Sequence, residues 1–151
     1  MKLEFLMEYN ADLQQPIRNT GAGPFGTRGL VVVTGGSFEG PRLKGKLWSC
    51  GGDWWLRGPD EVLRLDVRAT FETDDGALIY VQYHGVARPD AGRPMAQPGE
   101  TSEYGDYYFM TSPRFETGDE RYVWLNGLVC VAEGKRTARG VAYRVYAVVN
   151  N

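Results

Sequence analysis

The chain has 151 residues, 42% of them hydrophobic and 24% charged, with a formal net charge of −2. That length suits a single domain, residues 1–151, able to bury roughly 70% of its unfolded surface. The charge balance argues against a nucleic-acid partner, which needs a basic patch, and no apolar run approaches the ~20 residues of a membrane-spanning helix.

Twenty glycines punctuate short runs of Val, Tyr, Trp and Leu, and the dominant hydrophobic period is two, the period of strands. Leu3, Phe5, Met7 and Tyr9 alternate with Lys2, Glu4, Leu6 and Glu8 in a first strand. The same N-terminal segment has no signal-peptide core, so the reading is a cytoplasmic protein. A second strand over 29–38 carries Val31-Val32-Val33. A third over 46–56 holds Trp48, Trp54 and Trp55 and is interrupted by Gly51-Gly52, a pair that marks a bulge or sharp bend. Strands four and five, 62–73 and 77–88, flank Asp75-Gly76, a two-residue hairpin signal. A sixth covers 107–115, a seventh 121–133 and an eighth 140–149. No segment supports a three-turn amphipathic helix. Eight successive strands predict an all-β, closed, antiparallel up-and-down barrel, with a two-sheet sandwich as the alternative.

Alternate connections of such a meander fall at the same end. The links after strands two, four and six are compact. Those after strands one and five, 10–28 and 89–106, are long, so a mouth covered by loops is expected above a closed floor. Arg28, Asp53, His84 and Tyr107 fall near that mouth, with Trp54 and Trp55 beside them, a mixture typical of a small-molecule pocket. Asp53 follows Gly51-Gly52; held between glycines and tryptophans, its carboxyl could act as acid or base, or simply cap a turn. The single histidine, His84, suits proton exchange near neutrality, or an ordinary role in a strand.

A two-residue turn at Asp75-Gly76 pairs position 68 with 83 and 66 with 85. Arg64, Asp66, Arg68 and Thr70 then share a face with Val81 and Tyr83, and His84 lies on the other. Pattern alone sends the Arg/Asp face to solvent as an ion-pair ladder; turned inward, Asp66 would orient Arg68 towards a ligand oxygen. Tyr122, Trp124 and Asn126 share one face of strand seven, where Asn126 either polarises a ligand or satisfies strand-end backbone. Cys50 and Cys130 have no metal-like spacing and are expected as reduced thiols. A metal triad is improbable with one histidine, and the glycine-rich 21–26 segment has no phosphate-loop context.

Five stretches carry a resemblance to a known family. They are 35–45 with Gly51-Gly52-Asp53-Trp54, Leu65-Asp66-Val67-Arg68, Thr73-Asp74-Asp75-Gly76-Ala77, 108–118, and Tyr122-Val123-Trp124-Leu125-Asn126. In this order they cover nearly the whole chain, which resembles the microbial domain-of-unknown-function three-two-three-seven family. Trp48-Ser49-Cys50 departs from the small Pro/Gly turn of that family. The resemblance implies a closed barrel similar to lipocalin-like and allene-oxide-cyclase-like barrels. It also carries over Asp53, Trp54, Asp66, Arg68, Trp124 and Asn126 as pocket residues. The functional expectation is a cofactor-free isomerase, cyclase or lyase acting on a hydrophobic carbonyl compound, with Asp53, Arg68 and Asn126 catalytic. Trp54, Asp66, Tyr83, His84, Tyr107, Trp124 and Arg28 would contact the substrate, without metal or cofactor. The alternative is a binding barrel that carries or senses an aromatic or lipid-like ligand. The apolar positions on both sides of 141–149 suggest a homodimer contact.

Overall fold

The computed structural model describes residues 1–151. Its strands are β1 (Lys2–Leu13), β2 (Arg18–Gly23), β3 (Gly26–Glu39), β4 (Lys44–Leu47), β5 (Gly52–Asp53), β6 (Leu56–Arg57), β7 (Leu63–Thr73), β8 (Leu78–Arg88), β9 (Tyr108–Glu116), β10 (Cys130–Thr137) and β11 (Gly140–Val149). All pairings between them are antiparallel. Hydrogen-bonded neighbours run β1–β11–β10–β9–β8–β7 and on through β4, β5 and β6 to β3, which pairs back with β1. The result is the expected up-and-down ring of eight, with β4, β5 and β6 forming one broken strand. Ring closure leaves no free edge along this circuit. No helix is long and apolar enough to cross a membrane.

Three local departures from the sequence reading have physical causes. First, 10–28 is not a loop. β1 extends to Leu13, and β2 then pairs with the start of β3, Arg18 opposite Leu30 and Gly23 opposite Gly26. The glycine-rich 21–26 stretch is therefore the tip of a projecting hairpin. Its small residues gave no alternating apolar signal because β2 is exposed at every position.

Second, the β7–β8 turn contains three residues. Thr73 N–H donates to Ala77 O, Gly76 N–H donates to Thr73 O, and Gly76 takes φ +93°, as in a turn with a left-handed glycine bulge. One extra residue changes the register: Arg68 pairs with Gln82 and Asp66 with His84. A one-residue slip exchanges the faces of a strand, so Val81 and Tyr83 join Leu65, Val67 and Phe71 inside. His84 joins Asp66 and Arg68 outside.

Third, the expected seventh strand begins too early. Val123–Gly127 is a short 3₁₀ turn, and the strand starts only at Cys130. Both cysteines are free thiols, Cys130 buried and Cys50 half-buried.

The two ends of the ring differ. At the end closed by the 40–43, 74–77 and 117–129 connections, Phe71 stacks on Phe38 at 4.9 Å and meets Tyr9 and Phe115 edge-on at 5.1 and 6.3 Å. Met7, Ile79, Val81 and Val145 fill the remaining space with no exposure. Asp75 accepts hydrogen bonds from Thr73 Oγ1 (2.6 Å) and Tyr122 Oη (2.9 Å) and pairs with Arg121, tying the β7–β8 turn to the 3₁₀ segment. The opposite end is hollow.

Candidate functional site

The hollow end holds a cavity of about 350 Å³, within the size range of small-molecule sites. Of its 24 lining residues, 17 are hydrophobic, so the wall is apolar with a few polar groups set into it. Both connections expected at the mouth contribute. Ile17, Asn19 and Thr27 come from the β1–β3 excursion, and Met95, Ala96, Gln97 and Pro98 from the 89–107 loop.

That loop is fastened on its far side. Ser102 N–H donates to Arg136 O, and Arg136 N–H donates to Ser102 Oγ. Tyr104 lies under the Arg144 guanidinium (3.7 Å) and donates from its hydroxyl to Glu8 at 2.9 Å. These contacts hold the apolar 95–98 segment over the opening.

Asp53 reaches the cavity because Gly51 and Gly52 break the strand before it. Gly51 has φ +78°, and a side chain there would collide with Arg68 O. Gly52 approaches Val31 O so closely that a Cβ would sit 2.6 Å from it. The break lets β5 squeeze between β3 and β7, with Asp53 opposite Val31 and Val67. Paired residues share a face, so Asp53, Val67 and Tyr83 all point inward.

Asp53 Oδ1 accepts the Asp66 N–H at 2.9 Å, leaving Oδ2 without a protein partner. Burial raises the Asp53 pKa to about 7, only partly opposed by that hydrogen bond and by the positive charge of Arg136. A carboxyl poised near neutrality can both give and take a proton.

Tyr83 and Tyr143 line the same cavity, their rings edge-to-face at 5.5 Å. Burial holds both hydroxyls far above the usual phenol range, and the Asp53 charge acts on each in the same direction. They stay protonated at any working pH, so each hydroxyl keeps a proton that it can donate. Tyr107 lies on the wall and is itself buried, with its pKa raised chiefly by burial.

Of the residues singled out from the sequence, Asp53, Trp55, Tyr83 and Tyr107 line the cavity together. The others do not. Arg68, Asp66 and His84 form an outward ladder: Asp66 lies 4.0 Å from Arg68 and 3.9 Å from His84, whose side chain is 70% exposed. The register shift at the β7–β8 turn put them there, so the solvent ion-pair reading prevails over the inward one. Trp54 is exposed, and Trp55 occupies the wall in its place. Arg28 lies outside the cavity on the outer side of β3.

Asn126 sits at the opposite end of the barrel. Its side chain accepts from Thr117 N–H and donates to Thr117 O, both at 2.9 Å, which is the strand-end role. Trp124, on the same 3₁₀ turn, is covered by the Arg42 guanidinium at 3.6 Å and donates to Arg121 O.

Sequence reading missed Arg57, Arg136 and Tyr143, and within the 89–106 loop it singled out no residue. For two of them a signal existed. Arg57 shares the parity of Asp53, and Arg136 continues the small inward series Cys130, Ala132, Gly134. Tyr143 was ambiguous because β11 is apolar on both faces.

The chain belongs to the family described as Protein of unknown function (DUF3237), which it matches over residues 1–148. It is 35% identical over 133 residues to a UPF0311 protein of Rhodopseudomonas palustris (strain TIE-1), covering 86% of this chain and 87% of that one. Among solved structures, it resembles a beta-barrel like protein from Acinetobacter baumannii AYE (TM-score 0.84, 34% identity, 97% of this chain and 94% of that one). A more distant likeness, TM-score 0.74 at 22% identity over 98% of this chain and 94% of the other, is to an enzyme from Penicillium herquei. That last likeness is one of fold.

Proposed function

We propose that the protein is a cofactor-independent enzyme of isomerase, cyclase or hydratase/lyase type, acting on a hydrophobic or aromatic carbonyl compound in the mouth cavity. The observation that carries this reading is the Asp53 carboxyl: set in an apolar wall, one oxygen fixed by Asp66 N–H, with a pKa near 7. In this reading Asp53 Oδ2 takes a proton from the carbon next to the carbonyl and returns it to another position. Tyr83 and Tyr143, neutral donors in the same wall, hold the carbonyl oxygen as negative charge develops on it. They take the part that sequence reading gave to Arg68 and Asn126. The apolar wall and the 95–98 segment exclude water, which strengthens each of these interactions.

The test is proton exchange. Aryl ketones and enones incubated with the protein in D₂O are followed by NMR for deuterium uptake next to the carbonyl. The wild-type protein is expected to accelerate uptake in at least one compound, Asp53→Asn to lower it at least a hundredfold, and ligand affinity to persist. A protein that binds these compounds and exchanges none of them is instead the second candidate, a carrier or sensor barrel.

A further inference from the structure

Two guanidinium groups in the cavity wall have no carboxylate partner, and of the two Arg136 meets the neutral Tyr107 hydroxyl. Among the lining residues Asp53 is the only carboxylate, against Arg57 and Arg136. The protein forms salt bridges elsewhere, yet neither arginine takes part in any of them. Arg57 Nε is buried and bonds to nothing. A buried donor left unmade is costly, and more so when charged.

Their placement is also specific. Arg57 stands on β6 between β3 and β7, whereas Arg136 stands on β10 between β9 and β11. In the circuit of eight these are opposite walls, so the two cations face each other across the mouth. Arg136 is also close enough to act on the ionisation of Asp53, Tyr107 and Tyr143.

Depth separates Arg57 from the acid. Arg57 is opposite Leu63 and Asp53 is opposite Val67, four residues apart along β7, or about 13 Å at ~3.3 Å per residue. The space between is walled by Leu65, Val67, Ala87 and Phe109.

We propose that the occupant of this cavity is an amphipathic carboxylic acid: an apolar, aromatic body lying against the inner wall, with its carboxylate clamped between Arg57 and Arg136 at the mouth. The planar guanidinium fork matches a carboxylate in two hydrogen bonds, and the anion supplies the partner that Arg57 lacks. The proposal rests on the reading of this cavity as a ligand site and adds the charge class of the substrate. It also couples binding to Asp53: a carboxylate that neutralises Arg136 removes one of the two influences that oppose the rise of the Asp53 pKa.

Isothermal titration calorimetry with 4-phenylbutyrate and naphthalene-2-carboxylate, each beside its own methyl ester, tests it on the intact protein. The acids are expected to bind at least tenfold more tightly than the esters. Arg57→Gln and Arg136→Gln should each weaken acid binding at least fivefold with ester binding unchanged, and Arg57→Lys should restore part of the loss. Thermal melts of the same variants verify that they are folded. An acid that binds no more tightly than its ester, or not at all, overturns the proposal, as does full acid affinity in both Gln variants. Asp53→Asn separates this from the acid/base reading: it should abolish exchange while keeping the preference for acid over ester. Exchange of ester substrates without that preference would leave Asp53 standing and remove the clamp.

Discussion

The two ends of the barrel are built from the same alternation of residues and reach opposite results. At the floor, inward positions carry Phe38, Phe71 and Phe115, whose rings meet, and a fully buried Ile79 beside them. At the mouth, the inward positions of β3, β7 and β8 carry Val31, Leu65 and Ala87, which are too small to meet across the ring. The consequence is a division of labour. Close packing stabilises the floor, and the mouth keeps a volume that a ligand can fill. The polar groups divide likewise: at the floor Thr73 donates to Asp75 and Asn126 exchanges two hydrogen bonds with the Thr117 backbone, whereas Arg57 at the mouth is left without a partner.

The largest effect that should follow from this contrast lies at the floor. Phe71→Ala removes a fully buried ring and should cost roughly 3–5 kcal/mol, lowering Tm by about 10 °C or more. Ligand titration well below that Tm should give an unchanged affinity; a matching loss of binding would mean that the two ends are not separable.

At the mouth, Asp53→Asn should do the reverse and stabilise the protein, but only in part of the pH range. The folded-state pKa of Asp53 is raised to about 7, against ~3.9 in the unfolded chain. Between those values the folded state binds the proton more tightly, so stability falls as pH rises through the interval. The Asn variant lacks this fall. It should match wild type near pH 4 and exceed it at pH 8 by about 4 kcal/mol, at roughly 1.4 kcal/mol per pKa unit, or about 10 °C in Tm. Thermal melts at the two pH values suffice, and parallel profiles would contradict the assignment.

Asn126→Ala separates the floor role of this residue from the catalytic one first expected of it. Losing both bonds to Thr117 should cost roughly 1–2 kcal/mol and leave deuterium exchange untouched; an exchange defect without a loss of stability would restore the catalytic role. Ala87→Phe, in the cavity wall, should lower ligand affinity at least tenfold with a stability change within ~1 kcal/mol, because the added ring enters empty space. The smallest effects belong to the outer ladder. Arg68→Ala and His84→Ala should each stay within ~0.5 kcal/mol of wild type and keep full exchange activity.

The strand order, the barrel and the end carrying the mouth were all legible in the sequence, because alternation and loop length depend on local chemistry. Asp53 was legible for the same reason: Gly51-Gly52 announces a broken strand just before it. What failed was parity across a turn. Asp75-Gly76 looks like a two-residue hairpin, and the identity of those residues does not reveal that Asp74 also belongs to the loop. That single residue placed Tyr83 on the wrong face relative to β7 and made Arg68 available to the pocket on paper. Asn126 and Trp124 were misplaced for a different reason. Tyr122-Val123-Trp124-Leu125-Asn126 has the residue types of a strand, yet it turns because Leu125 is buried among the floor residues and Asn126 is tied to Thr117.

The central claim is that the mouth, unlike the floor, holds a carboxyl that changes charge near neutral pH. Carbon-13 NMR of protein labelled at the Asp side-chain carboxyls measures this directly, with Asp53→Asn assigning the resonance. A midpoint near pH 7 for Asp53 is the predicted result. A midpoint near pH 4, the ordinary value for a solvated aspartate, would contradict it.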